Sequence, residues 1–436
     1  MEEKQVFNNA KWIIICKIAQ SILQLIVGMI SARDLGPSNY GLISYAGSVV
    51  AFALPLMKLG FDAILVHELV ENPDKEGEIM GTSLLLNLFS SVLCMGGVAA
   101  FASVANFGET ETIIVCVLYS VSIFFAALEM TQYWFQYKLL SKYSSIVMLL
   151  AYVVVSTYKI FLLITQKSVY WFALSHSVEY GAIAVLLFVF YFRKGGKAFS
   201  FSFARAKKML GKSKHYIFAA LMIVVIQNTD HIMLTKMIGE AENGYYAAAI
   251  TCAGMTQFIL TAIVDSFRPM ILSSKKQNEL EYKNNVSRLY SIIIYLSFAQ
   301  SLMFTIFAPI IINIMYGVEF AAAIPVLQIL TWYCAFSYMG SIRNMWMLAE
   351  NKQKLLPIIN FCGMILNIIL NAVMIPFWGA IGAAAASLLT QVFTNLILGF
   401  IWKPLRNNNC LLLKSLHPKY AFDEVKKLVF VFVKKK

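Results

Sequence analysis

Charge is scarce in this sequence. Asp, Glu, Lys and Arg make up 14% of its 436 residues while hydrophobic residues make up 59%, against the roughly 25% charged content of soluble domains. That scarcity excludes an ordinary soluble globule. No CxxC pair is present: Cys16, Cys94, Cys116, Cys252, Cys334, Cys362 and Cys410 are scattered, most within apolar stretches, so they read as small buried apolar residues rather than a metal site or disulfide framework. There is no Walker-type glycine loop, no HExxH and no GxSxG. Nor does any basic loop carry a paired acidic motif to hold Mg²⁺ for a glycosyltransferase. No catalytic constellation, cofactor or metal is therefore expected. No small-residue cleavage site follows the first apolar segment, which reads as an uncleaved first helix.

Long apolar runs are what the chain does have. Twelve stretches of membrane-spanning length fall at 12–32, 40–60, 79–104, 112–136, 144–165, 169–192, 215–238, 243–267, 287–312, 322–346, 355–376 and 380–402. Each meets the roughly 20 helical residues that a bilayer core of about 30 Å demands. Of the 36 Lys and Arg residues, 31 lie in every second gap, at the stretch ends bordering those gaps, or at the termini. Arg33, Lys167 and Lys236 lie in the opposite gaps, and Lys17 and Lys159 lie inside stretches. Basic loops stay in the cytoplasm, so both termini are expected there and the span number is even. The expected location is the bacterial cytoplasmic (inner) membrane. A net charge of +13 is explained by this topology and by anionic lipid headgroups. The cations are not gathered on one amphipathic element or interleaved with stacking aromatics, so nucleic acid is not an expected partner.

The gaps opposite the basic ones are short: 33–39, 105–111, 166–168, 239–242, 313–321 and 377–379. The longest internal basic gap, 193–214, sits at the midpoint and reads as a cytoplasmic linker between two six-helix lobes, 1–192 and 215–403. The segment from Pro404 reads as a flexible basic cytoplasmic tail, 404–436. Phe61, Ile64, Leu65 and Leu69 recur at helical spacing with His67, Glu68 and Glu71 between them, the pattern of a short amphipathic helix in the headgroup region; Asp62 is placed to cap it. A shift of 203 residues sets Gln24 on Gln227, Arg33 on Lys236, Gly36 on Gly239, Gly41 on Gly244 and Asp62 on Asp265. Gly36, Gly41, Gly239 and Gly244 are read as tight turns joining helices. Six spans per half make the repeat parallel, about an axis along the membrane normal. The expected fold is thus all-α and integral to the membrane, with about 12 transmembrane helices in two six-helix bundles related by a pseudo-two-fold.

Ionisable groups inside a bilayer are costly and mark cavities or partners. Lys17, Gln20, Ser21, Gln24, Gly28 and Ser31 form one polar stripe on the first helix, and Gln227, Asp230, His231 and Thr235 form another on the seventh. These matching stripes predict a wet cavity between the lobes. Lys17 and Lys159 each lie near a helix end, where snorkelling to the interface is an equal alternative. Glu129, Glu179 and His176 complete the intramembrane set, with helix–helix attachment as the plainer reading of the two glutamates. Asp265 and Arg268, spaced i,i+3, read as a structural pair.

The segments ARDLGPSNYGLISYAGS (32–48) and LGFDAILVHELVENPDKEGEIMGTSLLLN (59–87) resemble the N-terminal signature of bacterial polysaccharide or O-antigen flippases of the Wzx type. The segments DHIMLTKMIGEAENGYYAAA (230–249) and GAIGAAAASLL (379–389) are similar to their C-terminal half. These flippases belong to the multidrug/oligosaccharidyl-lipid/polysaccharide (MOP) exporter superfamily. The resemblance implies two six-helix bundles around a central cavity. It further implies a substrate in which an oligosaccharide is joined through diphosphate to undecaprenol, flipped to the outer leaflet for surface polysaccharide such as O-antigen. Pathway partners would be a polymerase and glycosyltransferases, alongside membrane lipids.

Cations would offset the desolvation of the diphosphate, and polar walls would take the sugars. The expected substrate-facing residues are Lys17, Gln20, Gln24, Arg33, Lys159 and Gln227; the expected ion-coupling residues are Asp230, His231, Glu129 and Glu179. A multidrug/cation antiporter of the same fold is the nearest rival. An O-antigen polymerase or ligase is a rival of another class, opposed by the short outer gaps.

Overall fold

The computed structural model describes residues 2–416, apart from the side chains of residues 2–11 and of Ile14. Within that range the chain forms sixteen α-helices: α1 Glu2–Lys58, α2 Phe61–Glu71, α3 Glu76–Ala105, α4 Thr110–Leu128, α5 Gln132–Tyr137, α6 Ser141–Ile164, α7 Val169–Ala173, α8 Ser175–Arg193, α9 Phe203–Met237, α10 Glu240–Gly254, α11 Gln257–Gln277, α12 Glu279–Met315, α13 Ala323–Ala349, α14 Leu356–Val392, α15 Leu398–Ile401 and α16 Arg406–Ser415. No strand occurs among the described residues. Water is absent from a bilayer core, so a spanning segment must satisfy its backbone internally, and helices do so segment by segment.

Among the described residues, eight helical runs are long and apolar enough to cross a membrane, nine when the bent pair α10–α11 is taken as one span. The twelve apolar stretches all fall on helices, because two runs carry two stretches each. Gly36 (φ 70°, ψ 172°) breaks α1 between its two stretches, and Gly379 (φ 53°, ψ −130°) does the same for α14. The stretch 322–346 lies on α13. The turn at the start of the second half uses Gly239 (φ 139°, ψ 174°). Gly41 and Gly244, expected as turns, are instead buried within helices.

Contacts divide the chain into two compact units, Met1–Ile232 and Met233–Lys436, and the division falls inside α9. In the first unit, Leu42, Tyr45, Ala46, Val49 and Val50 of α1 pack on Val115, Cys116 and Ile123 of α4 and on Val98 and Ala102 of α3. A second core lies at the basic end, where Phe61, Leu65 and Leu69 of α2 meet Met80, Trp134, Phe135, Leu187 and Met209. The apolar face of α2 is therefore covered by protein, not by headgroups as its amphipathic pattern predicts. Asp62 does not cap it: the N-cap is Gly60, with no side-chain hydrogen bond.

The 193–214 segment, expected as a linker, packs on the first unit. Gly77 and Gly81 lie one turn apart on α3, and a side chain at either would collide with the backbone of Ala198 or Ser200. The bare helix surface lets the chain lie against it, with Ser200 N–H donating to the Gly77 carbonyl at 3.1 Å and Ser202 N–H to Thr82 Oγ1 at 3.0 Å. From Phe203 the segment is already α9.

In the second unit, small residues of α10 (Ala248, Ala249, Cys252) and α14 (Ala380, Ala383, Ala384) are buried, as helix contact in lipid favours. Glu242 accepts the Ala380 N–H at 2.6 Å and so caps the segment that follows the Gly379 break. The start of the expected flexible tail is a helix, α16, held on α12. Tyr290 Oη donates to Asn408 Oδ1 at 2.9 Å, and Ser291 Oγ donates to the Ser415 carbonyl at 2.9 Å. The rest of that tail, with Lys434, Lys435 and Lys436, lies outside the described residues.

Candidate functional site

The polar stripe of α1 is a surface in the first unit. Lys17, Ser21 and Gln24 are exposed, Gln20 and Gly28 half-buried, and Ser31 buried. The serine hydroxyls bond back along the helix, Ser21 Oγ to the Lys17 carbonyl at 2.8 Å and Ser31 Oγ to the Val27 carbonyl at 2.7 Å. Ile15, Ile18, Ile22, Ile26 and Ile30 are exposed too. At about 100° per residue the isoleucines lie roughly opposite the stripe. One helix thus presents an apolar face fit for lipid and a polar face that needs a polar medium. Arg33 ends this helix, exposed, just before the Gly36 break.

Charged groups gather deeper in the same unit. His176 Nδ1 lies 3.7 Å from Glu179 Oε2 on α8, and the His176 ring packs on Tyr119 of α4 at 4.7 Å between centroids. Lys159 of α6, half-buried, acts electrostatically on Glu179. Glu129, which follows α4, acts on Glu179 as well. Lys159, Glu179, His176 and Glu129 therefore form one interacting set. On α9, Asp230 is 3% exposed, Gln227 is exposed, and His231 Nδ1 lies 3.2 Å from Ser44 Oγ of α1. In the same unit, Leu56, Leu93, Gly97, Phe101 and Ile232 line an apolar cavity of about 590 Å³.

Sequence reasoning missed a buried ionic clasp at the basic end. Glu68 is fully buried on α2 between Arg205 (3.4 Å) and Lys212, and Arg205 also reaches Glu78 at 3.3 Å. Glu76 accepts from Trp134 Nε1 at 2.7 Å and from the Lys197 N–H at 3.3 Å, and pairs with Lys138 at 2.8 Å. Burial alone would raise the Glu68 carboxyl. The Lys212 hydrogen bond and the charges of Lys212, Lys208 and Arg205 outweigh it and hold the group below its ordinary value. Glu76 is likewise held low: burial opposes, and Lys138, Trp134 and Lys197 prevail. Glu68, three residues after Leu65, belongs to the buried side of α2, a position the one-turn spacing allowed but the hydrophobic pattern did not single out.

The described residues thus form a helical bundle in which ionisable groups lie on helices long and apolar enough to cross a membrane. The chain belongs to a family of polysaccharide biosynthesis proteins, whose family model matches residues 30–325. A comparison with curated protein sequences found no match. Among solved structures the fold is similar to that of a multidrug resistance MATE family transporter of the MOP superfamily in an inward-facing conformation. There the TM-score is 0.70 at 12% identity, over 91% of this chain and 96% of that one. It is also similar to the lipid II flippase MurJ in an inward closed conformation, at TM-score 0.70 and 16% identity, over 97% of this chain and 93% of that one. A Vibrio cholerae MATE transporter, VcmN, matches at TM-score 0.57 and 12% identity, over 94% and 98% of the two chains. These likenesses show that the chain shares the fold of those three proteins.

Proposed function

We propose that this chain moves a lipid-linked oligosaccharide from the inner to the outer leaflet of a bacterial cytoplasmic membrane, by alternating access, for surface polysaccharide biosynthesis. The observation that carries this reading is the double exposure of α1: Lys17, Ser21 and Gln24 on one face and five isoleucines on the other. A cargo with a charged, sugar-bearing head and a polyprenyl tail needs both media along one path. Lys17 and Arg33 meet the diphosphate, with Gln20, Gln24 and Gln227 toward the sugars and Lys159 as a further cation. Glu129, Glu179, Asp230 and His231 serve ion coupling. The basic gaps, and with them both termini, face the cytoplasm. The polymerase and glycosyltransferases of the same pathway are the partners this role requires. Gly36 and Gly239 set the helix reversals.

The test is flipping of a fluorescent undecaprenyl-diphosphate-linked oligosaccharide in proteoliposomes. Lys17→Ala is expected to lower the rate at least tenfold while the protein still inserts; an unchanged rate removes Lys17 from the site.

A second reading, a multidrug/cation antiporter, is favoured by one observation, the acidic pair Glu129 and Glu179 in the first unit. Efflux of a cationic dye, abolished by Glu179→Gln and untouched by Lys17→Ala, is the result that selects it.

A further inference from the structure

The second unit holds a polar cleft that the first unit's groups do not explain. Thr261, Asp265 and Arg268 recur at i, i+4 and i+7 on α11, and Tyr338, Ser341 and Asn344 recur at i, i+3 and i+6 on α13. These six line one cavity of about 200 Å³. Successive turns of each helix thus present polar groups to the other across a gap, in a region of the chain where polar side chains facing lipid are costly. The volume lies below the 300–1,000 Å³ usual for drug-sized ligands and suits one small ring.

The groups also specify a chemistry. Arg268 Nη2 donates to Asp265 Oδ1 at 2.7 Å, so the cleft's one cation and one anion cancel. That disfavours a bare phosphate and favours a neutral ligand. Asn344 Oδ1 accepts from Arg343 Nη2 at 3.1 Å, which fixes the amide and leaves its nitrogen as a donor. Arg343 is itself buried and anchored by Nη1 to the Thr394 carbonyl at 2.7 Å. Ser341 and Thr261 add exposed hydroxyls. Tyr338 is 5% exposed, and its Oη has no hydrogen-bond partner among the described residues. A buried hydroxyl left without a partner carries a desolvation cost that a ligand donor or acceptor removes. Vicinal hydroxyls, each both donor and acceptor, match a carboxylate, a fixed amide, hydroxyls and a guanidinium set within one ring's width.

We infer that this α11–α13 cleft is a monosaccharide subsite, holding one neutral sugar of the glycan. The inference rests on the lipid-linked oligosaccharide reading and adds where a sugar is recognised. Ser341 and Asn344 are exposed; Ser341→Leu leaves the packed core intact, whereas Asn344→Leu also removes the acceptor of Arg343 Nη2.

The experiment uses the full chain in nanodiscs and two probes, undecaprenyl diphosphate and the same lipid carrying a single N-acetylhexosamine. The wild type is expected to bind the sugar-bearing probe about tenfold more tightly. Ser341→Leu and Asn344→Leu should each bring that ratio toward one while binding of the sugar-free lipid stays as in the wild type. A ratio near one in the wild type, or a preference that survives both substitutions, overturns the subsite and leaves the flippase reading standing. A wild type that binds neither lipid overturns both.

Discussion

At Gly36 and Gly239, 203 residues apart, the backbone adopts the same unusual state, positive φ with ψ near 172° and 174°. That region is open to glycine and nearly closed to any residue with a Cβ, at a cost of order 1–3 kcal/mol. Gly36→Ala and Gly239→Ala are therefore each expected to lower stability by about 1–3 kcal/mol, read as a shifted denaturant midpoint in detergent. A wild-type midpoint for either would remove the strain argument at that position. The repeat made these two positions legible in the sequence. It did not distinguish them from Gly41 and Gly244, because a glycine that breaks a helix and a glycine buried within one have the same side chain. Asp265 and Arg268 were legible as a pair from spacing alone, whereas the cleft they share with Tyr338 and Asn344 depends on a packing some 75 residues away in sequence.

Helix α2 shows how an element's pattern fixes its type and leaves its surroundings open. The spacing of Phe61, Ile64, Leu65 and Leu69 specifies a one-faced helix, and α2 spans those residues. That face shares one core with residues of α3, α5, α6, α8 and α9, and the partners of Glu68 are Arg205 and Lys212, far along the chain. Removing one member of a buried pair strands the other, which costs about 3–5 kcal/mol. Glu68→Ala should therefore release the 197–214 segment from the first unit.

Acid should do the same by titration. Both Glu68 and Glu76 have folded pKa values below the ordinary 4.5, so their stabilisation is complete above that pH and fades as pH falls through the depressed values. Hydrogen exchange of amides in 197–205, corrected for intrinsic rates, should stay slow at pH 6 and accelerate below about pH 4. In Glu68→Ala it should be fast at both. Equal protection at both pH values in the wild type would show that the glycine-backed packing on Gly77 and Gly81, not the ion pairs, holds the connector.

For the whole molecule, where helices form follows from local hydropathy, which is why the twelve stretches coincide with helices. The division of labour inside the first unit is not local. Lys17, Gln20, Ser21 and Gln24 lie on an exposed face of α1, while Glu129, Lys159, His176 and Glu179 interact across α4, α6 and α8. If the first set meets cargo and the second couples transport to an ion, the two functions separate by mutation. Glu179→Gln keeps the shape and hydrogen-bonding reach of the side chain and removes its charge. It should leave the affinity for a lipid-linked oligosaccharide within about twofold while abolishing the acceleration of flipping by an imposed proton or sodium gradient. Lys17→Ala should do the reverse, weakening binding about tenfold or more, as loss of a charge-assisted contact does, with the residual flux still responsive to the gradient. Flipping by Glu179→Gln that follows the gradient as the wild type does would remove the buried set from coupling. Asp230→Asn then becomes the decisive variant, since Asp230 and His231 are the remaining ionisable pair proposed for that role.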